Sequence, residues 1–244
     1  MGLPFSKPPL IQAVCELRFS PDSAWDIMVP GLFYDLSNWK NEFPHREQQS
    51  HNQFQMDAQA HGMAFGVAPE VRVMLSNLEK TQSLTLGPNL LIVSATPPYK
   101  NWETLRALIL KAVQDYQQIA APLGLARVGL RYVNAVPYTD PKRQVEAHVT
   151  TWPRVPLEET KNHQWQQWAQ RVEVFREDLR GLLVVQAGNN IPDPRLPPAI
   201  LLDFDAISLQ VSLEDLEDWL NLAHDAIEET FLASLTPVTR ETFG

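Results

Sequence analysis

The sequence predicts an α+β protein built from two tandem, pseudo-symmetric units, residues 1–124 and 125–244, either separate or fused into one domain. Three segments of the first unit recur in the second in the same order: 14–19 at 128–132, 90–95 at 201–206, and 105–116 at 220–231. The first two segments have strand character and the third has helical character. Because an internal repeat reports a copied structural unit, the duplication predicts architecture strongly and chemistry weakly.

Within the first unit, residues 13–19 alternate between apolar and polar positions, which predicts a strand with one buried face. Pro30-Gly31 predicts a helix that breaks or begins there, and the polar stretch 41–60 follows without a predicted element. Short apolar runs separated by turn residues predict an antiparallel meander of four strands, at 63–67, 71–77, 82–86 and 90–95. A core-facing helix is predicted over 102–120 from its i, i+3/i+4 apolar spacing.

The second unit repeats this order with a longer insertion. A strand at 127–134 precedes an irregular, proline-rich insert at 137–159, and a short helix is predicted at 163–168. Strands are predicted at 172–175, 182–187 and 200–207. A capping-box-like start at Ser212 opens a final helix that extends to about Leu235.

This order of elements resembles the repeated unit of the TATA-binding-protein-like fold. The resemblance implies an antiparallel sheet backed by long helices, with each unit arranged β-α-β(3-4)-α. It is a resemblance of topology alone, so DNA binding does not come with it. The alternative fold is a pair of separate ferredoxin-like or helix-grip domains.

Composition bounds the classes of partner and the compartment. A net charge of −9 disfavours nucleic acid, which attracts a basic surface, and disfavours an anionic membrane for the same reason. The single cysteine, Cys15, allows no internal disulfide, and the N-terminal segment lacks a secretory apolar region. No apolar run approaches the length of a membrane span. These features predict a cytoplasmic protein without a membrane segment.

Two aspartates on one predicted strand form a candidate pair of functional carboxylates. Asp203 and Asp205 are two residues apart, so both point away from the core, as do Arg18 and Arg131 on their own strands. An ion network across an open sheet is the favoured interpretation. A ligand-binding floor is the next interpretation, and acid–base catalysis or cation binding by paired carboxylates is the third.

His224 and Glu228 lie one helical turn apart, a spacing that two metal ligands on one helix can use. No second histidine motif accompanies them. In the alignment of the two repeats, the position equivalent to His224 is the apolar residue Ile109. A half-buried structural histidine is therefore the favoured interpretation, and no metal is predicted. Cys15 is predicted to be a core residue rather than a nucleophile. Because the chain has no glycine-rich phosphate loop, no cofactor is predicted either.

Three tryptophans, Trp152, Trp165 and Trp168, cluster in or beside the polar insert. Exposed tryptophans are typical of partner interfaces. The competing interpretation, with equal weight, is that they cover one end of the sheet.

Several segments, spread from end to end of the chain, have a common resemblance. They are 8–19 (PPLIQAVCELRF), 129–134 (GLRYVN), 202–205 (LDFD), 222–231 (LAHDAIEETF), Thr236-Pro237 and 242–244 (TFG). In this order they resemble a sporadically distributed family of prokaryotic proteins of similar length. Cys15 departs from that family, which has a larger apolar or aromatic residue there. The resemblance implies no activity and no catalytic residue, and its patchy distribution resembles that of genes in mobile or defence islands.

Together these features predict a non-enzymatic interaction component that binds a protein partner or a second copy of itself. The surfaces predicted to bind are the sheet face with Arg18, Arg131, Asp203 and Asp205, and the tryptophan-containing insert. The family resemblance adds an accessory role in a mobile-island defence or toxin–antitoxin system. The alternative is a small-ligand-binding protein or a metal-dependent enzyme with its site between the two halves.

Overall fold

A computed structural model describes residues 5–23, 25–59, 62–137, 145–151, 167–189 and 198–244. In chain order its strands are β1 (Leu10–Phe19), β2 (His45–Gln59), β3 (Gly62–Ser76), β4 (Gln82–Gly87), β5 (Leu90–Ala95), β6 (Leu125–Pro137), β7 (Ala169–Arg176), β8 (Gly181–Gly188) and β9 (Ala199–Ser208). Its α-helices are α1 (Val29–Asp35), α2 (Trp39–Glu42), α3 (Trp102–Ala120), α4 (Leu216–Ser234) and α5 (Pro237–Glu241). All nine strands form one sheet in the order β2-β3-β4-β5-β1-β6-β9-β8-β7.

The predicted fold class, TATA-binding-protein-like units with a sheet backed by long helices, is wrong, and so is the alternative of two ferredoxin-like or helix-grip domains. The described chain is mostly one large antiparallel sheet of nine strands with five helices. Three of those helices have seven residues or fewer, and α3 and α4 make their main sheet contacts with β5, β6 and β9. The helices are therefore too few to back the outer strands. The sheet is continuous because β1 and β6 pair directly, from Leu10 opposite Asn134 to Phe19 opposite Leu125.

The largest local departure from the sequence-based expectations is the β2–β3 hairpin. The stretch 41–60, which had no predicted element, contains β2, and the break expected at 68–70 lies inside the single strand β3. Pairing runs without interruption from His45 opposite Ser76 to Gln59 opposite Gly62. β4 pairs with β3 only over 73–76, so at Pro69 the one described neighbour of β3 is β2. A strand that is unpaired on one side tolerates proline, which has no backbone N–H to donate.

The strands predicted for the second half are confirmed. The segments 172–175, 182–187 and 200–207 lie within β7, β8 and β9. The final helix is confirmed as α4, which begins at Leu216, four residues after the predicted cap Ser212. The Ser212 hydroxyl accepts a hydrogen bond from the Asp215 backbone N–H at 3.2 Å. Most of the helix predicted at 163–168, and most of the proline-rich insert, lie outside the described residues.

The core lies between the helices and one face of the central strands. Along β1, Cys15 and Leu17 are fully buried, whereas Glu16 and Arg18 are partly exposed, which confirms the predicted alternation. On β9, Phe204 is likewise buried between two partly exposed aspartates. Burying every second side chain on one face leaves the intervening side chains on the opposite face of the sheet. None of the described helices is long and apolar enough to cross a bilayer.

Cys15 is a core residue, as predicted, and burial raises the pKa of its thiol well above the ordinary range. We expect a thiol reagent to modify the native protein about a thousandfold more slowly than the unfolded chain, because the reactive thiolate forms only after the core opens. Labelling rates measured with and without urea check this expectation. Rapid labelling of the native protein would contradict it.

Candidate binding surface on the sheet

The face of the central strands opposite α3 and α4, called the open face here, carries a cluster of charged side chains. Its members come from three adjacent strands: Glu16 and Arg18 on β1, Arg127 and Arg131 on β6, and Asp203 and Asp205 on β9. Alternation places all six on one face, since their neighbours along each strand point into the core. Three segments that are far apart in sequence therefore contribute to one surface.

Arg131 and Asp203 form the best-defined pair on the open face. Arg131 donates two hydrogen bonds to the carboxylate, from Nε to Oδ1 at 2.8 Å and from Nη2 to Oδ2 at 2.6 Å. Gln186 on β8 donates a third hydrogen bond to Asp203 Oδ2, at 3.2 Å. Hydrogen bonding to the carboxylate raises the pKa of Arg131. The pair holds the guanidinium in a fixed orientation while 48% of the Arg131 side chain stays exposed.

A second cluster is centred on Glu16. Its Oε1 accepts hydrogen bonds from Arg127 Nη1 at 2.6 Å and from Arg18 Nε at 2.8 Å. Arg18 was predicted to form ion pairs with the aspartates of β9 as part of a network across the sheet, but it pairs with Glu16 on its own strand. The physical reason is spacing, because residues two apart on a strand project from the same face as close neighbours.

Asp205 is the least well compensated acid on the open face. Its nearest described cation is Arg127, with Nη2 at 3.9 Å from Oδ2. Desolvation by burial raises the pKa of Asp205 to about 6, and repulsion from Asp203 and Glu16 adds to it, although Arg127 and Arg131 act in the opposite direction. Gly129 lies between Arg127 and Asp205, since a Cβ added there would meet the Arg127 guanidinium at 3.2 Å and Asp205 Oδ1 at 3.4 Å.

The structure therefore brings Arg18, Arg131, Asp203 and Asp205 onto one face but divides them between two clusters. Sequence reasoning missed three contributors: Glu16, Arg127 and Gln186. The first two were open to prediction, because Glu16 shares the alternation of Arg18 and Arg127 shares that of Arg131. Gln186 depends on β8 pairing beside β9, which no local pattern specifies.

The predicted tryptophan cluster is only partly described. Trp152 and Trp165 lie outside the described residues. Trp168 is 5% exposed and packs into the core just before β7, where its backbone N–H donates to Asn189 Oδ1 at 2.8 Å. The described tryptophan thus covers the end of the sheet and leaves little surface for a partner.

His224 lies at the seam between α3, α4 and the sheet, away from the open face. Its ring stacks on Trp102 at a centroid distance of 4.5 Å and meets the Tyr132 ring edge-on at 5.8 Å. Desolvation lowers the pKa of His224 and raises that of Glu228, one turn further along α4. Both side chains line a small cavity between α4 and β6.

No protein-family model matches the chain, and no curated protein matches it significantly. The open face and the α4–β6 cavity are therefore the features of this chain from which a function can be inferred.

Proposed function

We propose that the protein is a non-enzymatic interaction component whose open face binds a protein partner. One observation supports this most directly. A rigid, hydrogen-bonded Arg131–Asp203 pair stands partly exposed on the middle of a wide sheet, opposite the face that α3 and α4 cover. An arginine fixed in this way loses little side-chain entropy on binding, and arginine is enriched among the residues that dominate interface energies.

The chemistry of the open face favours a folded protein as the occupant. Cations and acids are interspersed there, although the whole chain has a net charge of −9. A surface of mixed sign complements a partner that presents carboxylates to Arg131 and Arg18 and a cation to Asp205. A phosphate backbone would instead be repelled by Glu16, Asp203 and Asp205. The prediction that nucleic acid is not the partner is retained in this proposal.

The cellular setting of the proposal rests on the sequence. The family resemblance supports an accessory role in a mobile-island defence or toxin–antitoxin system, and the single cysteine supports a cytoplasmic location. The second candidate is the metal-dependent enzyme of the alternative prediction, and the observation that favours it is that His224 and Glu228 both line the α4–β6 cavity. The small-ligand-binding alternative gains no support from this cavity.

The test is to capture the tagged full chain from the organism that encodes it and to compare two variants. Arg131→Ala removes the exposed guanidinium, and Lys40→Ala is the matched control. Lys40 is also a partly exposed, ion-paired cation, 2.6 Å from Asp35, but it lies on α2. We expect one partner to be recovered in a defined ratio and Arg131→Ala to weaken its binding at least about tenfold, while Lys40→Ala leaves binding unchanged. Circular dichroism checks that both variants fold.

Two outcomes would contradict the proposal. One is that no partner is recovered, and the other is that Arg131→Ala and Lys40→Ala bind the partner equally well. Alanine variants of Trp152 and Trp165 separate the predicted insert from the open face. If these variants lose the partner while Arg131→Ala keeps it, the insert is the interface.

A further inference from the structure

Two buried polar side-chain atoms beside the cavity between α4 and β6 have no hydrogen-bond partner in the described part of the chain. Asn134 Oδ1 and His224 Nδ1 are both fully enclosed, and neither has a hydrogen-bond partner within 3.5 Å among the described residues, whose nearest acid to His224 Nδ1 is Asp225 at 3.6 Å. Their residues are 2% and 4% exposed. Asn134 comes from β6 and His224 from α4, yet both line the same space. Leaving such atoms unpaired inside a protein is costly, so they point to an occupant that satisfies them.

The size of the cavity restricts that occupant. The space has room for about one water-sized particle, so a metabolite or cofactor does not fit. The remaining lining is apolar apart from Tyr132, whose hydroxyl is engaged with the Tyr99 hydroxyl at 3.0 Å, and the partly buried carboxylate of Glu228. A single ion or a single water molecule meets these limits.

We propose that this cavity is a divalent metal site of the zinc class, with His224 Nδ1 and a Glu228 carboxylate oxygen as its principal ligands. Asn134 Oδ1, from the same cavity lining, supplies a further oxygen ligand. Asp225 is exposed and does not line the cavity, but its carboxylate lies near His224 and Glu228 and supplies another. The proposal is independent of the open face and of the partner proposed for it. It adds to the structural role expected for His224, because stacking on Trp102 holds the imidazole ring in place.

The ligand geometry favours a metal over water. One donor atom each from His224, Asp225 and Glu228 lie within 4.8 Å of one another. His224 Nδ1 and Asp225 Oδ1 are 3.6 Å apart, close to the roughly 3.4 Å that separates two ligands on a tetrahedral zinc ion. Mixed imidazole and carboxylate ligands suit zinc better than magnesium or calcium, which prefer oxygen alone.

The test uses the purified full-length protein and Glu228→Gln, which keeps the side-chain shape but weakens a zinc ligand. Glu229→Gln is the matched control, because it changes the charge equally at an exposed neighbouring position on α4. After chelation and dialysis, zinc binding is measured by calorimetry, and cobalt(II) is added to read the ligand geometry from its visible absorption. We expect one ion per chain, a tetrahedral cobalt spectrum and a rise in Tm with zinc.

Glu228→Gln should lower the affinity for zinc at least about tenfold and remove the rise in Tm, whereas Glu229→Gln should change neither. Asp225→Asn, which alters the exposed ligand, should cause a smaller loss. Failure of zinc and cobalt to bind the wild-type protein would overturn the proposal and assign the cavity to a water molecule. Equal binding by the wild type and Glu228→Gln would overturn it too, because the ion would then lie elsewhere.

Discussion

Gly181→Ala is expected to lower the free energy of unfolding by about 3 kcal/mol or more. Gly181 begins β8 opposite Ser208, and a Cβ placed on it would lie 1.9 Å from the Ile207 carbonyl oxygen. That oxygen belongs to the backbone of β9, so a side-chain rotation cannot relieve the overlap. The two strands would have to separate by more than an ångström, which breaks ladder hydrogen bonds at this end of the sheet.

The surroundings of Gly181 make such a separation costly. The Ser208 hydroxyl donates to the Arg180 carbonyl at 2.7 Å, and Trp219 Nε1 on α4 donates to the Leu179 carbonyl at 2.8 Å. Both bonds attach the β7–β8 turn to the rest of the molecule. Movement of β8 would therefore also disturb buried contacts of α4.

Urea unfolding of the variant measures the effect, and Gly31→Ala is the control. Gly31 lies within α1, and a Cβ added there meets nothing within 4 Å. Alanine forms helix better than glycine, so this change should stabilise the protein by up to about 1 kcal/mol. A loss below about 1 kcal/mol for Gly181→Ala would show that β8 and β9 are less tightly apposed than described.

Asp205→Asn is expected to stabilise the protein at pH 8, by up to about 3 kcal/mol. Burial raises the pKa of Asp205 to about 6 from its ordinary value of 3.8, and only 20% of the side chain is exposed. Keeping this carboxylate charged in the folded state is therefore unfavourable. The neutral asparagine removes that cost and keeps a similar shape.

The sign of the pH dependence follows from proton binding. Between pH 3.8 and about 6 the folded protein holds a proton on Asp205 that the unfolded chain has released. The destabilisation is therefore full above pH 6 and disappears as the pH falls towards 3.8. We expect the difference in Tm between Asp205→Asn and the wild type to be largest at pH 8 and close to zero at pH 4.

Asp203→Asn provides a control of opposite sign on the same strand. Asp203 accepts both hydrogen bonds from Arg131, so loss of its charge should destabilise the protein at pH 8 by about 1 kcal/mol. If both substitutions destabilise the protein equally, Asp205 is paired as well as Asp203, and the raised pKa is contradicted.

The sequence-based expectations succeeded where one side of an element is buried. The alternation of Cys15 and Leu17 with Glu16 and Arg18 identified β1 and both of its faces, because side-chain direction alternates along any strand. The helical spacing at 102–120 located α3 for the same kind of reason. These patterns depend only on neighbouring residues and on one contact surface.

The sequence-based expectations failed where an element has no buried face to impose an apolar pattern. Within β2, residues 45–50 are mostly exposed, so they show no apolar period that would predict a strand. Pairing with β3 supplies the backbone hydrogen bonds that hold this segment extended. The break predicted between 63–67 and 71–77 is also wrong. Pro69 is tolerated inside β3 because β4 pairs only with residues 73–76, and no local pattern predicts where that pairing stops.

At the candidate sites, the residues that share one face of a strand or helix were predictable from the sequence. The residues that they contact on other strands or helices were not. Local backbone geometry sets the direction of each side chain, and this was enough to place Arg131 and Asp205 on a common face. Pairing between strands determines which of these side chains come into contact. Arg127 contacts Glu16 across 111 residues, and Asn134 faces the cavity of His224 only because α4 packs on β6. Such contacts arise when the chain folds back on itself, so no stretch of consecutive residues specifies them.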